Sequence, residues 1–240
     1  MKTALVTGSS KGIGKQIAID FLKEGYFVFL NYGHDDLTAN DLKDELKLIS
    51  NNFKILKNDF STKESIENFC SEILSSADEI DVLVLNAGAT NRKNLDTITF
   101  EEWSSVMMTN LNAPFYIIKL LKEKIKYSGN IIFIGSILGI YSHAMSIPYA
   151  VSKAGLHMLA KSLIKEFCEE KIRVNVIAPG FVDTPWQKAK PQEQRKRIED
   201  KTALKRFAKV EEISNAVQFV VNNGFVNGAI LSLDGGYCYK

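Results

Sequence analysis

The chain is 240 residues long and 45% hydrophobic, enough to close a core on both faces of a sheet. Its 30 Lys+Arg against 28 Asp+Glu leave a formal charge of +2, far from the basic excess that a phosphate backbone demands, and no apolar run approaches the roughly 18 residues of a membrane span. Three scattered cysteines (Cys70, Cys168, Cys238) and three histidines without an i,i+4 partner (His34, His143, His157) suggest neither a disulfide framework nor a metal site. With at most a five-residue apolar stretch in its first ten residues, the chain reads as cytoplasmic, with no metal, nucleic-acid or membrane partner.

In chain order, short Val-, Ile- and Phe-rich runs alternate with longer stretches of helical period. Strands are expected over residues 3–7, 27–32, 53–57, 82–86, 130–135, 173–178 and 229–233. Helices are expected over 13–24, 37–50, 63–74, 100–126, 149–168 and 210–222. Continuous apolar strands separated by helices imply an α/β class: a Rossmann-like, doubly wound parallel sheet of about seven strands with helices on both faces. One domain over 1–240 is expected, with a mobile substrate flap over about 181–209, where the pattern gives way to charge.

The first strand runs through Thr7-Gly8-Ser9-Ser10-Lys11-Gly12-Ile13-Gly14 directly into a helix. Three glycines there let the chain turn sharply and bring backbone amides close to an anion, backed by the positive end of the helix dipole. A tight turn chosen for packing is the plainer explanation of the same residues; the strand before and the helix after are the context a phosphate-binding turn requires. NAD binders usually end the second strand on an acidic residue that holds the ribose 2′-hydroxyl. Here that strand ends Asn31-Tyr32, with Asp35 and Asp36 a few residues beyond and able to reach back. Lys11 offers an ammonium where a 2′-phosphate would sit, unless it is a solvated loop cation, so NADP(H) is favoured over NAD(H).

Four polar residues lie near strand ends or on the helices that follow: Asn110, Ser136, Tyr149 and Lys153. Tyr149 and Lys153 are i,i+4 at a helix start, so both project from one face, and an ammonium there would lower the phenol pKa toward the operating pH. Ser136 closes an apolar strand, in the crevice where open α/β sheets bind ligands. Singly, each has a bland explanation: a chance Y-x-x-x-K on a surface helix, a serine cap. Their ordered occurrence behind a glycine turn favours a proton-transfer site.

At these residues the chain resembles the classical short-chain dehydrogenase/reductase family, with T-G-x-x-x-G-x-G from Thr7 to Gly14, Asn86-Ala87-Gly88, Asn110, Ser136, Y-x-x-x-K from Tyr149 to Lys153, and Pro179-Gly180. The match spans essentially the whole chain; the one departure is Leu85, where the family usually has the first Asn of N-N-A-G. The resemblance implies that Tyr149 donates or accepts the proton, Ser136 orients the carbonyl, Lys153 tunes Tyr149 and bonds the nicotinamide ribose, and Asn110 holds a relay water. It implies cofactor contacts from Gly8, Ser10, Lys11, Gly12, Ile13 and Gly14 in the turn, from Tyr32, from Asp59 and Phe60 flanking the adenine, and from Asn86, Ala87 and Gly88. Tyr149 and Lys153 would also touch the cofactor, as would Pro179, Gly180, Val182 and Thr184, the last two at the carboxamide. A homo-oligomer, tetramer or dimer, assembled through the helices of 100–126 and 149–170 and the last strand, is likewise implied.

Within the family the chain is most similar to 3-oxoacyl-acyl carrier protein reductases, through Asn31-Tyr32, the run Asn175 to Phe181 and Asp234-Gly235-Gly236. That likeness implies reduction of an acyl thioester, with acyl carrier protein as a partner. In that subgroup two arginines near the active-site entrance hold the carrier; the matching positions are Tyr127 and Glu170, with Lys122, Lys124 and Lys126 as replacement charge or a solvated helix end. The pocket is expected to include Ser136, His143, Met145, Tyr149 and Trp186. Two other readings stand beside this one: a dehydrogenase of a sugar, polyol, steroid or other secondary alcohol, and a non-catalytic NADP-binding regulator, which would have no need of all four polar residues.

Overall fold

The computed structural model describes residues 1–141 and 146–239. Seven strands, β1 (Thr3–Val6), β2 (Phe27–Tyr32), β3 (Phe53–Lys57), β4 (Ile80–Leu85), β5 (Ile125–Ile134), β6 (Arg173–Pro179) and β7 (Ile230–Leu233), form one sheet in the order β3-β2-β1-β4-β5-β6-β7. Every pairing is parallel. Side chains alternate along each strand, so both faces are apolar. Ala4, Val6, Val28, Leu30, Val82 and Val84 face α1 (Gly12–Lys23), α2 (Asp36–Lys47) and α9 (Val210–Asn222). Leu5, Phe29, Leu83, Leu85, Ile131 and Phe133 face α3 (Lys63–Ser76), α5 (Ala113–Leu121) and α6 (Ile147–Glu166). Strand order reverses between β1 and β4, and a crevice opens beyond the carboxyl ends of strands at such a switch point. The glycine turn follows β1 there, and Asn86-Ala87-Gly88 follows β4.

The stretch expected as one helix over 100–126 is broken. α4 (Phe100–Met107) passes into a π turn, Met108–Asn112, before α5 resumes, and β5 starts at Ile125 instead of 130. Pro114 explains the break: a proline has no N–H, so it cannot donate to the carbonyl of Asn110 four residues back, and the wider turn is closed by Ala113 N–H donating to the Met108 carbonyl. The early start of β5 carries little sequence signal because Lys126, Tyr127 and Ser128 are exposed and Ser128 has φ of 60°. Between 181 and 209 two helices form, α7 (Pro185–Lys188) and α8 (Gln192–Lys201), in a segment whose charge concealed any apolar stripe.

Candidate active site

The turns after β1 and β4 are locked together. Thr7 Oγ1 accepts from Asn86 N and Ala87 N, both at 3.0 Å, while Asn86 Nδ2 donates to the carbonyls of Thr7 (3.0 Å) and Gly8 (2.8 Å). A Cβ on Gly8 would sit 2.8 Å from the Ala87 Cα, and Gly8 and Gly12 have φ of 61° and 59°. Packing therefore requires the glycines whatever they bind. What packing does not explain is the helix end behind them: Lys11 at the N-cap of α1 makes no side-chain cap and the first turn has no acidic residue, so its amides and the dipole face outward unanswered. That donor set fits a dinucleotide pyrophosphate. Ser9 and Asn31, to which sequence assigned no bracing role, hold the turn: Asn31 N donates to Ser9 Oγ (2.9 Å) and Gly8 N to Asn31 Oδ1 (3.1 Å).

At the end of β2 the charges are paired. Lys11 Nζ lies 3.6 Å from Asp35 Oδ2, and Asp36 accepts from the Tyr32 hydroxyl (2.8 Å) and from Lys57 Nζ (2.7 Å). Asp35 and Asp36 do reach back, each toward a lysine; such exposed, solvent-screened pairs are weak and yield readily to a phosphate. Asp59 is exposed enough to meet a ligand, with Ser61 holding its carboxyl below the usual range. Phe60 corrects an expectation: at φ 54° its ring turns into the core against Phe69, centroids 5.0 Å apart, so only its backbone is left for an adenine. Val182 is similar, its side chain 4% exposed in the core. Thr184 does approach the glycine turn, its Cγ2 3.2 Å from where a Gly12 Cβ would stand.

Ser136, just past β5, and Tyr149, in the first turn of α6, share a hydrogen bond. Burial raises the Tyr149 pKa above the ordinary phenol value and the Ser136 bond opposes it. The lowering expected from Lys153 is therefore corrected. The Lys153 Nζ stands 5.7 Å from the Tyr149 ring centroid and donates to the Ile134 carbonyl at 2.7 Å; buried, it is itself pushed down to about 8. An ammonium has three donors, and the carbonyl uses one, so Lys153 retains N–H groups for a ribose. Gly88 leaves the space beside it open, since a Cβ there would lie 3.8 Å from Lys153 Nζ and 3.4 Å from Asn110 Oδ1.

Asn110, fully buried on the π turn, is held rigidly: its Oδ1 accepts from Ala89 N (2.7 Å), and its Nδ2 donates to the Ala89 carbonyl and Ser152 Oγ, both 2.9 Å. Ser152 in turn donates to the Tyr149 carbonyl at 2.8 Å, tying the π turn to α6. Sequence reasoning passed over Ser152, although it adjoins Lys153. It passed over His157 as well, one turn beyond Lys153, whose buried Nε2 accepts from Ser136 N at 3.4 Å. Gly135 and Gly139 were the available signal, for a Cβ on either would collide with that imidazole.

Ser136 and Tyr149 open onto a cavity of about 610 Å³ that also receives Gly180 and Trp186, bringing together the expected pocket residues except His143 and Met145, which lie outside the described residues. Pro179 ends β6, beside Leu233 of β7. A larger groove of about 910 Å³ lies at the amino ends of the strands, away from this chemistry, and Tyr127 lines it. Tyr127 and Glu170 thus sit at the opposite end of this subunit's sheet from Ser136. Lys122 is paired with Glu166 (2.9 Å) and Lys126 with Glu79 (3.2 Å), so neither supplies unpaired replacement charge.

The short chain dehydrogenase family model matches residues 2–195. The 3-oxoacyl-acyl-carrier-protein reductase FabG of Escherichia coli (strain K12) is 35% identical, over 98% of this chain and 96% of its own. A dehydrogenase/reductase of Sinorhizobium meliloti 1021 superposes with a TM-score of 0.92 at 30% identity, covering 98% of this chain and 94% of that one. A short chain dehydrogenase of Burkholderia cenocepacia J2315, solved in complex with NADP, gives 0.92 at 25% identity, covering 99% and 98%.

Proposed function

As the chain belongs to the short-chain dehydrogenase family, and is thus an oxidoreductase acting on CH–OH donors, we propose that it catalyses NADPH-dependent reduction of a 3-oxoacyl thioester. The observation that carries this reading is the meeting of the Ser136 and Tyr149 hydroxyls at the pocket wall with the buried Lys153 ammonium behind them. NADPH, when bound, supplies the hydride. Residues 8–14, with the uncapped end of α1, hold the pyrophosphate; Asn86, Ala87 and Gly88 line the nicotinamide half, and Lys153 bonds its ribose. The backbones of Asp59 and Phe60 border the adenine, Pro179 and Gly180 wall the cofactor, and Val182 and Thr184 approach the carboxamide. Lys11, and Tyr32 beside it, meet the 2′-phosphate.

Ser136 donates a hydrogen bond to the substrate carbonyl and fixes its direction. Tyr149 gives its proton to the oxygen as negative charge develops there, and a phenol whose pKa is raised stays protonated for that step across neutral pH. Proton replacement runs from Lys153 through water at the carbonyl of Asn110, which Pro114 leaves without its usual helical donor.

Acyl carrier protein docking is disfavoured by an uncharged Tyr127 and an acidic Glu170, and the ion pairs of Lys122 and Lys126 favour a second reading in which the carbonyl comes on another carrier or on none. We place the protein in the cytoplasm as a homo-oligomer, in keeping with the absence, among the described residues, of any helix long and apolar enough to cross a membrane. The test is the initial rate of NADPH and, separately, NADH oxidation with acetoacetyl-CoA. Turnover at least tenfold faster with NADPH is expected; consumption of neither cofactor would overturn thioester reduction, and faster turnover with NADH would overturn the cofactor assignment.

A further inference from the structure

The segment between 185 and 201 carries six cations, and the structure sorts them. Lys188 and Arg195 converge on Asp183, at 3.9 and 3.0 Å; Lys196 pairs with Asp200 at 3.0 Å and Arg197 with Glu193 at 2.5 Å. Lys190 does not join them. It turns into the cavity of Ser136 and Tyr149, where it meets a second cation, Arg92, from the loop after β4. Among the described residues no carboxylate stands within 4.0 Å of either. Arg197 and Lys201 line the same cavity, whose one carboxylate among the described residues, Asp200, is engaged by Lys196.

Two like charges facing one another across a partly enclosed space repel, and partial burial of one removes the water that would screen them. Lys190 registers this: its pKa lies below the ordinary lysine value, first through burial and then through the charge of Arg92. Like charges in a cleft, with no carboxylate among the described residues paired to either, form an anion subsite. Ile137, Leu138, Phe181 and Trp186 also line the cavity, so one space combines a carbonyl-binding pair, an apolar wall and cationic groups.

We propose that Arg92 and Lys190 form a specificity subsite that holds a phosphate or carboxylate on the substrate, at the end of the molecule remote from the carbonyl presented to Ser136 and Tyr149. This rests on the reading of the cavity as the carbonyl-reducing site, and it adds the chemical class of the substrate: oxo compounds with an anionic tail. Phosphopantetheine thioesters and free oxo acids share that chemistry.

Binding tests the subsite without turnover. Trp186 lines the cavity, so its fluorescence follows ligand entry in the full-length protein, with Trp103→Phe removing the only other tryptophan. The ligands are acetoacetyl-pantetheine 4′-phosphate, acetoacetyl-pantetheine without the phosphate, and 9-oxodecanoate, whose carboxylate is remote from its ketone. The phosphorylated thioester should bind at least tenfold tighter than its neutral counterpart at 50 mM salt. That preference should shrink severalfold at 500 mM salt and vanish in Arg92→Gln/Lys190→Gln. If 9-oxodecanoate instead is the ligand whose binding depends on the two cations, the tail is a carboxylate. Equal affinity for the phosphorylated and neutral thioesters, together with 9-oxodecanoate binding indifferent to the double substitution, would overturn the subsite. Cation-dependent binding without oxidation of either nicotinamide cofactor would leave the subsite standing and remove the thioester-reductase reading, so the two fail separately.

Discussion

At the scale of single residues, the protein spends stability on its chemistry at Lys153. The folded pKa of about 8 against an ordinary 10.5 means that the unfolded chain binds more protons between those values, so stability rises with pH across that window and the cost of the buried charge is fully present below pH 8. Lys153→Met should therefore raise stability at pH 7 by about 2 kcal/mol, after allowance for the lost bond to the Ile134 carbonyl, and abolish turnover. Thermal unfolding of both proteins at pH 7 and pH 10 checks this: the mutant's advantage should shrink at the higher pH, and a mutant less stable than wild type at pH 7 contradicts it. Sequence spacing was enough to bring Tyr149 and Lys153 onto one helix face, because an i,i+4 separation fixes that geometry locally. The inward turn of Phe60 and of Val182 was not legible, since a positive φ in one and a core contact in the other depend on neighbours distant in the chain. For the same reason the sign of the Tyr149 shift was misjudged: adjacency to Lys153 is local, but burial is not.

At the scale of elements, α6 carries Tyr149, Lys153 and His157 at successive four-residue steps, and the third holds the backbone of Ser136. The pKa of His157 is lowered to about 4, first by burial and then by the charge of Lys153. As the unfolded chain takes up that proton near pH 6.5, stability is fully present above 6.5 and lost as pH falls toward 4, by at most about 3 kcal/mol. His157→Gln, which keeps an acceptor but not the titration, should flatten the fall in melting temperature between pH 6.5 and 4.5; an unchanged slope would remove His157 from the account. The break between α4 and α5 was hidden for a physical reason too. Apolar periodicity persists through a π turn, and only Pro114, read against the carbonyl four residues back, announces it. Likewise, α8 buries no residue, so an apolar stripe could not reveal it.

At the scale of the molecule, the alternation of apolar runs and helical periods was enough to give seven parallel strands with helices on both faces, because a strand buried on both sides reads as a continuous run. What it leaves outside the core is Phe115 on α5, with Val151 and Met158 on α6, each more than 40% exposed and on the two helices expected to meet a second copy. Light scattering should give a mass that is a multiple of 26.9 kDa, and Phe115→Glu/Met158→Glu should lower it; a monomeric wild type at micromolar concentration contradicts the oligomer.

The central claim is that Tyr149 is the proton donor for carbonyl reduction in this pocket, and Tyr149→Phe tests it with the loss of one oxygen. The account predicts that acetoacetyl-CoA-dependent NADPH oxidation falls at least a thousandfold while NADPH affinity, read by nucleotide fluorescence, changes less than threefold. Turnover within tenfold of wild type would contradict it.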